Sequence, residues 1–417
     1  MTHPLPDRPR RSDSSLARRA QHVMPGGITR STVYVPPHPP YAVSGSGAVL
    51  TDHLGNQLID CNNNYTSLIH GHSHPAIETA AISAIRTGSA FGLPTRSEIE
   101  FAELLSQRTG FEKWRFCNSG TEAVLMLVRA ARAHTGRQKI VRFAGSYHGT
   151  GDELASANTP GVPSWIEKSV LELPQGDLPA LENAFAVHGD DIAVVLIDLL
   201  PNRAGLTPAE PAYIERLQSI ARRYGALVAV DEVISFRLCL GGLHTEYPVQ
   251  PDLISTGKLI GGGFPVGAVG GRREVLDSFD PTRTRPVMWG GTFTANPVTM
   301  AAGHVALQLY DQTAVTTLNA RGNRLRADLR DAGVDTNGHG SLIRILSNDT
   351  PALWWALYEL GVLAGSNGLL SLSTAMTDEQ IDRIHAAVVA AATIRPSGKR
   401  NADSAGPTLS NSPDIKA

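Results

Sequence analysis

Cysteine is scarce in this chain, with three in 417 residues: Cys61, Cys117 and Cys239. An odd count without metal-ligand spacing excludes a disulfide framework and a cysteine-built zinc site, and fits reduced thiols in a cytosolic compartment. Long apolar runs are missing as well. The longest, over residues 192–200 and 386–394, fall far short of the ~20 residues a membrane helix needs. The N-terminus carries Arg8, Arg10 and Arg11 but no apolar core of an export signal, so a cytoplasmic, membrane-free protein is expected. An excess of one charge is absent too: 37 Lys and Arg against 39 Asp and Glu leave a net charge of -2. Neither nucleic acid nor an anionic membrane has an electrostatic reason to bind such a chain. Two nucleotide motifs are also lacking. No GxGxxG run follows a strand, and a phosphate-binding P-loop around Gly257-Lys258 would need Gly at 252 and Ser or Thr at 259, where Asp252 and Leu259 stand.

What is present is an alternation of strand-like and helical segments, the pattern of an α/β fold built on a largely parallel sheet. Residues 139–143, 192–197 and 226–230 are short, apolar and β-branched, and read as buried strands. Helical periodicity covers residues 121–133 and 212–224, with Gly225 placed to end the second. An Ala-rich helix over 298–310 leads towards a smaller C-terminal unit. The expected organisation is an N-terminal segment 1–45, a large domain 46–295, a small α+β domain 296–395 and a disordered tail 396–417 rich in Ser, Pro, Asn and Asp. Within the first segment, residues 16–23 suit a short helix.

The chemistry centres on Lys258, in the run Thr256-Gly257-Lys258-Leu259-Ile260-Gly261-Gly262-Gly263, and on Asp231, which ends the strand before it. A glycine-flanked lysine reaches a site through an unencumbered backbone and can form a Schiff base with a carbonyl cofactor. An aspartate at the end of an apolar strand stays ionised only beside a cationic partner, and a protonated pyridine nitrogen is one. Phe116-Cys117-Asn118-Ser119-Gly120-Thr121 puts hydroxyls and a glycine where a strand gives way to a helix, which suits an anion and equally suits a plain helix cap. Tyr147-His148 between glycines offers an aromatic face to a flat ring, or an ordinary loop. Gly290-Gly291-Thr292 is another small-residue loop with a hydroxyl. His70-Gly71-His72-Ser73-His74-Pro75 lacks acidic or cysteine neighbours at metal spacing and reads as a turn before a helix that starts near Pro75; no metal is expected.

In this order, Ser119/Gly120/Thr121, Tyr147/His148, Asp231, Lys258 and Thr292, the chain resembles the class III pyridoxal-phosphate aminotransferases of fold type I. The nearest branch holds glutamate-1-semialdehyde 2,1-aminomutase and the β-amino-acid aminotransferases, and the resemblance runs from Met24-Pro25-Gly26-Gly27 to about Glu379. It implies a large domain with a mostly parallel central sheet and a smaller α+β domain. It implies that Lys258 is the Schiff-base lysine and proton carrier, and that Asp231 pairs with the pyridinium. Ser119, Gly120 and Thr121 would hold the cofactor phosphate, with Thr292 reaching it across a homodimer interface; Tyr147, with His148 beside it, would stack on one face of the ring and Val233 on the other. Arg30, in Gly26-Gly27-Ile28-Thr29-Arg30, would hold a substrate carboxylate as a guanidinium fork does. Arg237 is a reserve for that role, with a surface or structural salt bridge as its alternative.

Three departures from the family pattern stand out. Asp198-Leu199 replaces the usual Glu-Pro, Trp289 follows Pro286-Val287-Met288 where a His often precedes Gly-Gly-Thr, and residues 362–368 offer no substrate arginine. The expected activity is amino-group transfer between an amino acid or amine and a 2-oxo acid or other carbonyl compound. The rivals are an intramolecular aminomutase or racemase on the same cofactor, and a catalytically silent relative, against which the intact Lys258 and Asp231 speak.

Overall fold

The structure, a computed structural model, describes residues 14–155 and 159–393; the predicted tail at 396–417 lies outside them. Seven strands form the central sheet: β1 (Lys113–Cys117), β2 (Lys139–Phe143), β3 (Val170–Leu173), β4 (Ile192–Ile197), β5 (Leu227–Asp231), β6 (Leu253–Gly257) and β7 (Gly267–Gly271). Their spatial order is β1-β7-β6-β5-β4-β2-β3, with only β7 antiparallel to its neighbours. Side chains alternate across a strand, and the two cores follow that alternation. Val194, Leu196, Leu227 and Ala229 pack with the helix α1 (Gly120–Thr135) on one face. Val195, Ile197, Val228 and Val230 join the larger cluster on the other. Strands buried on both faces need apolar side chains at nearly every position, which is why these segments are legible as uninterrupted β-branched runs.

The predicted strand at 139–143 is β2, and the strand predicted at 226–230 lies one residue later, ending on Asp231. Helices predicted at 212–224 and 298–310 are found at Pro211–Arg223 and as α2 (Pro297–Leu309). Gly225 ends the first with φ 68°, a backbone region open to glycine at little cost. A helix also occupies Ser14–Val23, and another begins at Pro75 as expected. A three-stranded antiparallel sheet of Thr336–His339, Leu342–Ile345 and Leu369–Ser371 forms a second layer, flanked by α3 (Thr350–Glu359) and the helices Gln312–Asp331 and Asp378–Thr393. A four-stranded sheet joins Ala42–Ser46, Val49–Asp52 and Gln57–Asp60 to Val362–Leu363, so the N-terminal strands pair with a late segment of the chain.

Arg237 corrects the expectation of a surface or salt-bridged residue. It is fully buried and donates to three neutral acceptors, Ser341 Oγ (3.1 Å), Ser371 Oγ (2.6 Å) and the Leu372 carbonyl. Burial pulls its pKa down to about 10. It ties the segment after β5 to the small sheet, and the cause is unreadable in sequence: its acceptors lie more than 100 residues away.

Lys258 begins a short 3-10 turn, Lys258–Gly261, and α2 lies directly on that turn. At Gly303 of α2 a Cβ would stand 2.1 Å from the Ile260 carbonyl oxygen and 3.0 Å from Phe101 Cζ. Gly303→Ala is expected to force the helix off the lysine turn, lowering stability by about 1–3 kcal/mol, as urea denaturation would measure.

Candidate active site

Because all sheet strands but β7 run the same way, the segments that leave β1, β2, β4, β5 and β6 emerge on one edge, where ligands gather in open α/β sheets. They carry Ser119, Tyr147 and His148, Asp198, Asp231 and Lys258, and all of these line one cleft of about 520 Å³. Gly120, Thr121, Val233 and Arg30 border the same space.

Asp231 is 6% exposed and holds three bonds. Its Oδ2 lies 2.7 Å from His148 Nδ1, which must donate because an ionised carboxylate only accepts. Its Oδ1 accepts from the Val233 amide (3.0 Å) and from Ser255 Oγ (2.9 Å). Burial raises the pKa of this carboxyl, but the bond and charge of His148, the Val233 amide and Ser255 together outweigh it and hold the group below its usual range. His148 Nε2 is buried and has no hydrogen-bond partner among the described residues. Ser255 was not singled out in sequence; it stands opposite Asp231 in the parallel register of β5 and β6, a neighbour visible only once strand order is known.

Burial lowers the pKa of Lys258, with Asp231 and Asp198 opposing. The shift enlarges the share of neutral amine, the form that attacks a carbonyl. Asp198, 6% exposed, accepts from the Leu200 amide at 2.9 Å. Burial first, and then the charge of Asp231, pushes its pKa up to about 7.

At the other end of the cleft, Ser119 is the cap of α1: its Oγ accepts from the Glu122 amide at 3.1 Å. The plain cap reading is therefore realised, yet it leaves the first-turn amides of Gly120 and Thr121 without a partner among the described residues. A Cβ at Gly120 would sit 2.8 Å from Val233 Cγ1, so glycine is what lets the helix start close against Val233. Tyr147 is 37% exposed and carries the Arg203 guanidinium 3.9 Å from its ring centroid; Arg203 was not foreseen. Arg30 is exposed, with Nη1 donating to Asn64 Oδ1 at 2.7 Å.

Thr292 is not brought to this cleft. It lies exposed on a separate loop, beside Phe91 and Leu93. Trp289, within its own chain, packs against the core beneath α1 with its ring centroid 4.6 Å from the Arg129 guanidinium, and does not line the cleft. Among the described residues no group of three or more His, Cys, Asp or Glu could hold a metal ion. The histidines at 70 and 72 are bonded instead to Thr374 and the Ala306 carbonyl, and to Asp60.

A lysine of depressed basicity, an ionised buried aspartate and two free amides at a helix N-terminus suit a phosphate-bearing pyridine aldehyde. The Aminotransferase class-III family pattern matches residues 33–391. This chain belongs to that family. Glutamate-1-semialdehyde 2,1-aminomutase of Methanothermobacter thermautotrophicus is 39% identical over 327 residues, covering 76% of this chain and 77% of that protein. An omega-transaminase from Sphaerobacter thermophilus superposes with a TM-score of 0.88 at 41% identity, covering 91% of this chain and 96% of that one. A β-phenylalanine aminotransferase from Variovorax paradoxus does so at 0.85 and 35%, covering 90% and 92%. The class III protein is thus a fold type I enzyme of amino-group transfer with pyridoxal phosphate as cofactor and small-molecule amino donors and carbonyl acceptors as substrates. No helix among the described residues is long and apolar enough to cross a membrane.

Asp198 gives a testable pH dependence. Its folded pKa of about 7 lies above the ordinary 3.8, so the folded state holds the extra proton. The stability it contributes is complete below pH ~4 and is lost as pH rises through 7. Asp198→Asn is expected to flatten this loss, gaining up to about 4 kcal/mol over wild type at pH 8 relative to pH 4; urea melts of both proteins across that range check it.

Proposed function

We propose that this enzyme is an intermolecular aminotransferase that moves an amino group from an amino acid or amine to a 2-oxo acid. The observation that carries the reading is the meeting of Lys258, Asp231 and the free amides of Gly120 and Thr121 in one cleft. When bound, pyridoxal phosphate supplies the carbonyl that Lys258 Nζ engages and an electron sink for the substrate carbon that loses its proton. Gly120 and Thr121 bind the phosphate through their amides, aided by the hydroxyls of Ser119 and Thr121. Asp231, kept ionised by His148 and Ser255, holds the proton on the ring nitrogen. Tyr147 and Val233 take the two faces of the ring. Lys258 Nζ, as a neutral amine in the same cleft, would take and return the proton at the substrate carbon. Arg30 orients the substrate carboxylate.

The assembly proposed is a cytoplasmic homodimer in which Thr292 completes the partner's phosphate site. Its support is the exposed apolar surface around that loop: Phe91, Leu93, Met288 and Phe293 are each more than half exposed, more than a solitary chain gains from leaving in water. The domain division proposed is 46–295 and 296–395, with 1–45 serving the small domain and the substrate site.

The aminomutase relative supports a second reading, transfer within one substrate. The two separate in one experiment. Absorbance of the purified protein is followed while donors and then a 2-oxo acid are added; an intermolecular enzyme loses its cofactor band with a donor and regains it with the acceptor, whereas a mutase turns over without any acceptor. Lys258→Ala is expected to cut turnover by at least about 10³-fold while the phosphate site still retains cofactor, as phosphate analysis after gel filtration would show.

A further inference from the structure

Tyr147 enters the Lys258 cleft on a side chain with few restraints of its own. It is partly exposed, and among the described residues its hydroxyl has no hydrogen-bond partner and no second aromatic ring meets it. The one directed contact on its ring is the Arg203 guanidinium, 3.9 Å from the centroid. Tyr147 lines the cleft and Arg203 does not, so the ring stands between the guanidinium and the space open to a flat cofactor.

Arg203 rides on a loop that is braced from three directions. The loop closes on itself, since the amides of Ala204 and Leu206 both donate to the Pro201 carbonyl at 3.1 Å, and Leu206 is fully buried. It is pinned from the small sheet: Arg344 donates to the Asn202 carbonyl at 2.6 Å, and Asn337 Nδ2 to Thr207 Oγ1 at 3.2 Å. It also presses on the loop that carries Tyr147. A Cβ at Gly145, where φ is 77°, would stand 3.2 Å from Ala204 Cβ, so glycine there lets the two loops approach.

No carboxylate among the described residues pairs with Arg203, and its planar guanidinium is left to stack on the tyrosine, a contact that arginine makes well. A tyrosine with an unbonded hydroxyl samples several rotamers, and only some of them turn a face to a ring lying in the cleft. A cation–π contact at a partly exposed site is of the size to favour one such rotamer by roughly two- to tenfold.

Resting on the placement of Tyr147 against the cofactor ring proposed above, we infer that Arg203 is a positioning residue, which clamps Tyr147 from behind and so keeps the backstop of the ring in place.

The test reads the bound cofactor rather than turnover, so it is indifferent to whether the amino group moves between molecules or within one. Wild type, Arg203→Ala, Arg203→Lys, Tyr147→Leu and the Arg203→Ala/Tyr147→Leu double variant are prepared with pyridoxal phosphate bound. Equilibrium dialysis gives the cofactor's dissociation constant, and circular dichroism of its visible band, per mole bound, reports how firmly the ring is held in one orientation. Arg203→Ala is expected to weaken retention by roughly two- to tenfold and to reduce the dichroism, and Arg203→Lys, which keeps the cation without the flat face, to recover part of both. On the Tyr147→Leu background, Arg203→Ala is expected to add nothing. An Arg203→Ala protein identical to wild type in both readouts, or an equal loss on the Tyr147→Leu background, overturns the proposal. If Tyr147→Leu is itself without effect, the placement of the ring on Tyr147 fails and the clamp fails with it; if Tyr147→Leu weakens the cofactor while Arg203→Ala is silent, the clamp alone fails.

Discussion

A carboxylate that must stay charged while buried is the constraint around which this molecule is arranged. Removing Asp231 from water costs several kcal/mol unless hydrogen bonds and an opposite charge replace the solvent. The replacements come from three directions: the loop after β2 supplies His148, the neighbouring strand supplies Ser255, and the chain's own turn supplies the Val233 amide. None of these is placed without the parallel sheet, whose register sets Ser255 opposite Asp231. The same buried charge then acts outward. It counters the desolvation of Lys258 and helps keep Asp198 protonated, so the protonation states of the cleft are one coupled system rather than three independent groups.

Segments governed by local rules were the legible part of the fold. β4 stands where its uninterrupted apolar run puts it, because a strand covered on both faces leaves no polar position to blur the ends, and β2 is legible from Ile140, Val141 and Phe143 although Lys139 and Arg142 interrupt it. Motif order was legible too, since Ser119, Tyr147 and Lys258 follow strands and Asp231 ends one, and parallel strands deliver such positions to one edge. What could not be read depends on partners distant in sequence. Arg237 looked like a surface cation because its three neutral acceptors lie in another layer. The docking of Trp289 beside Arg129 is likewise a contact between segments far apart in sequence. The left-handed turn at residues 63–66 is only half legible, since Asn63 and Asn64 favour that conformation but Tyr65 and Thr66 ordinarily avoid it.

Burial of cationic side chains recurs at the junction between the layers. Arg237 binds the small sheet, Tyr310 in turn donates its hydroxyl to the Arg237 carbonyl, and Arg344 reaches from the small sheet to the Asn202 carbonyl beyond β4. These contacts use guanidinium groups against neutral oxygens, which gives direction to the joint without adding compensating acids near Asp231 and Asp198. A carboxylate at that junction would have added to the negative charge of Asp231 that, after burial, pushes Asp198 up to about 7.

The turn that carries Asn64 also shapes how this lineage can change. At φ 47° asparagine or glycine is accommodated at the least cost, so most substitutions of Asn64 carry a backbone penalty. Ala42 and Val33, in the N-terminal segment that carries Arg30, sit in extended or 3-10 backbone with no such restriction. Side-chain volume at Ala42 and Val33 can therefore change by single substitutions without a backbone penalty, whereas a change at Asn64 carries one.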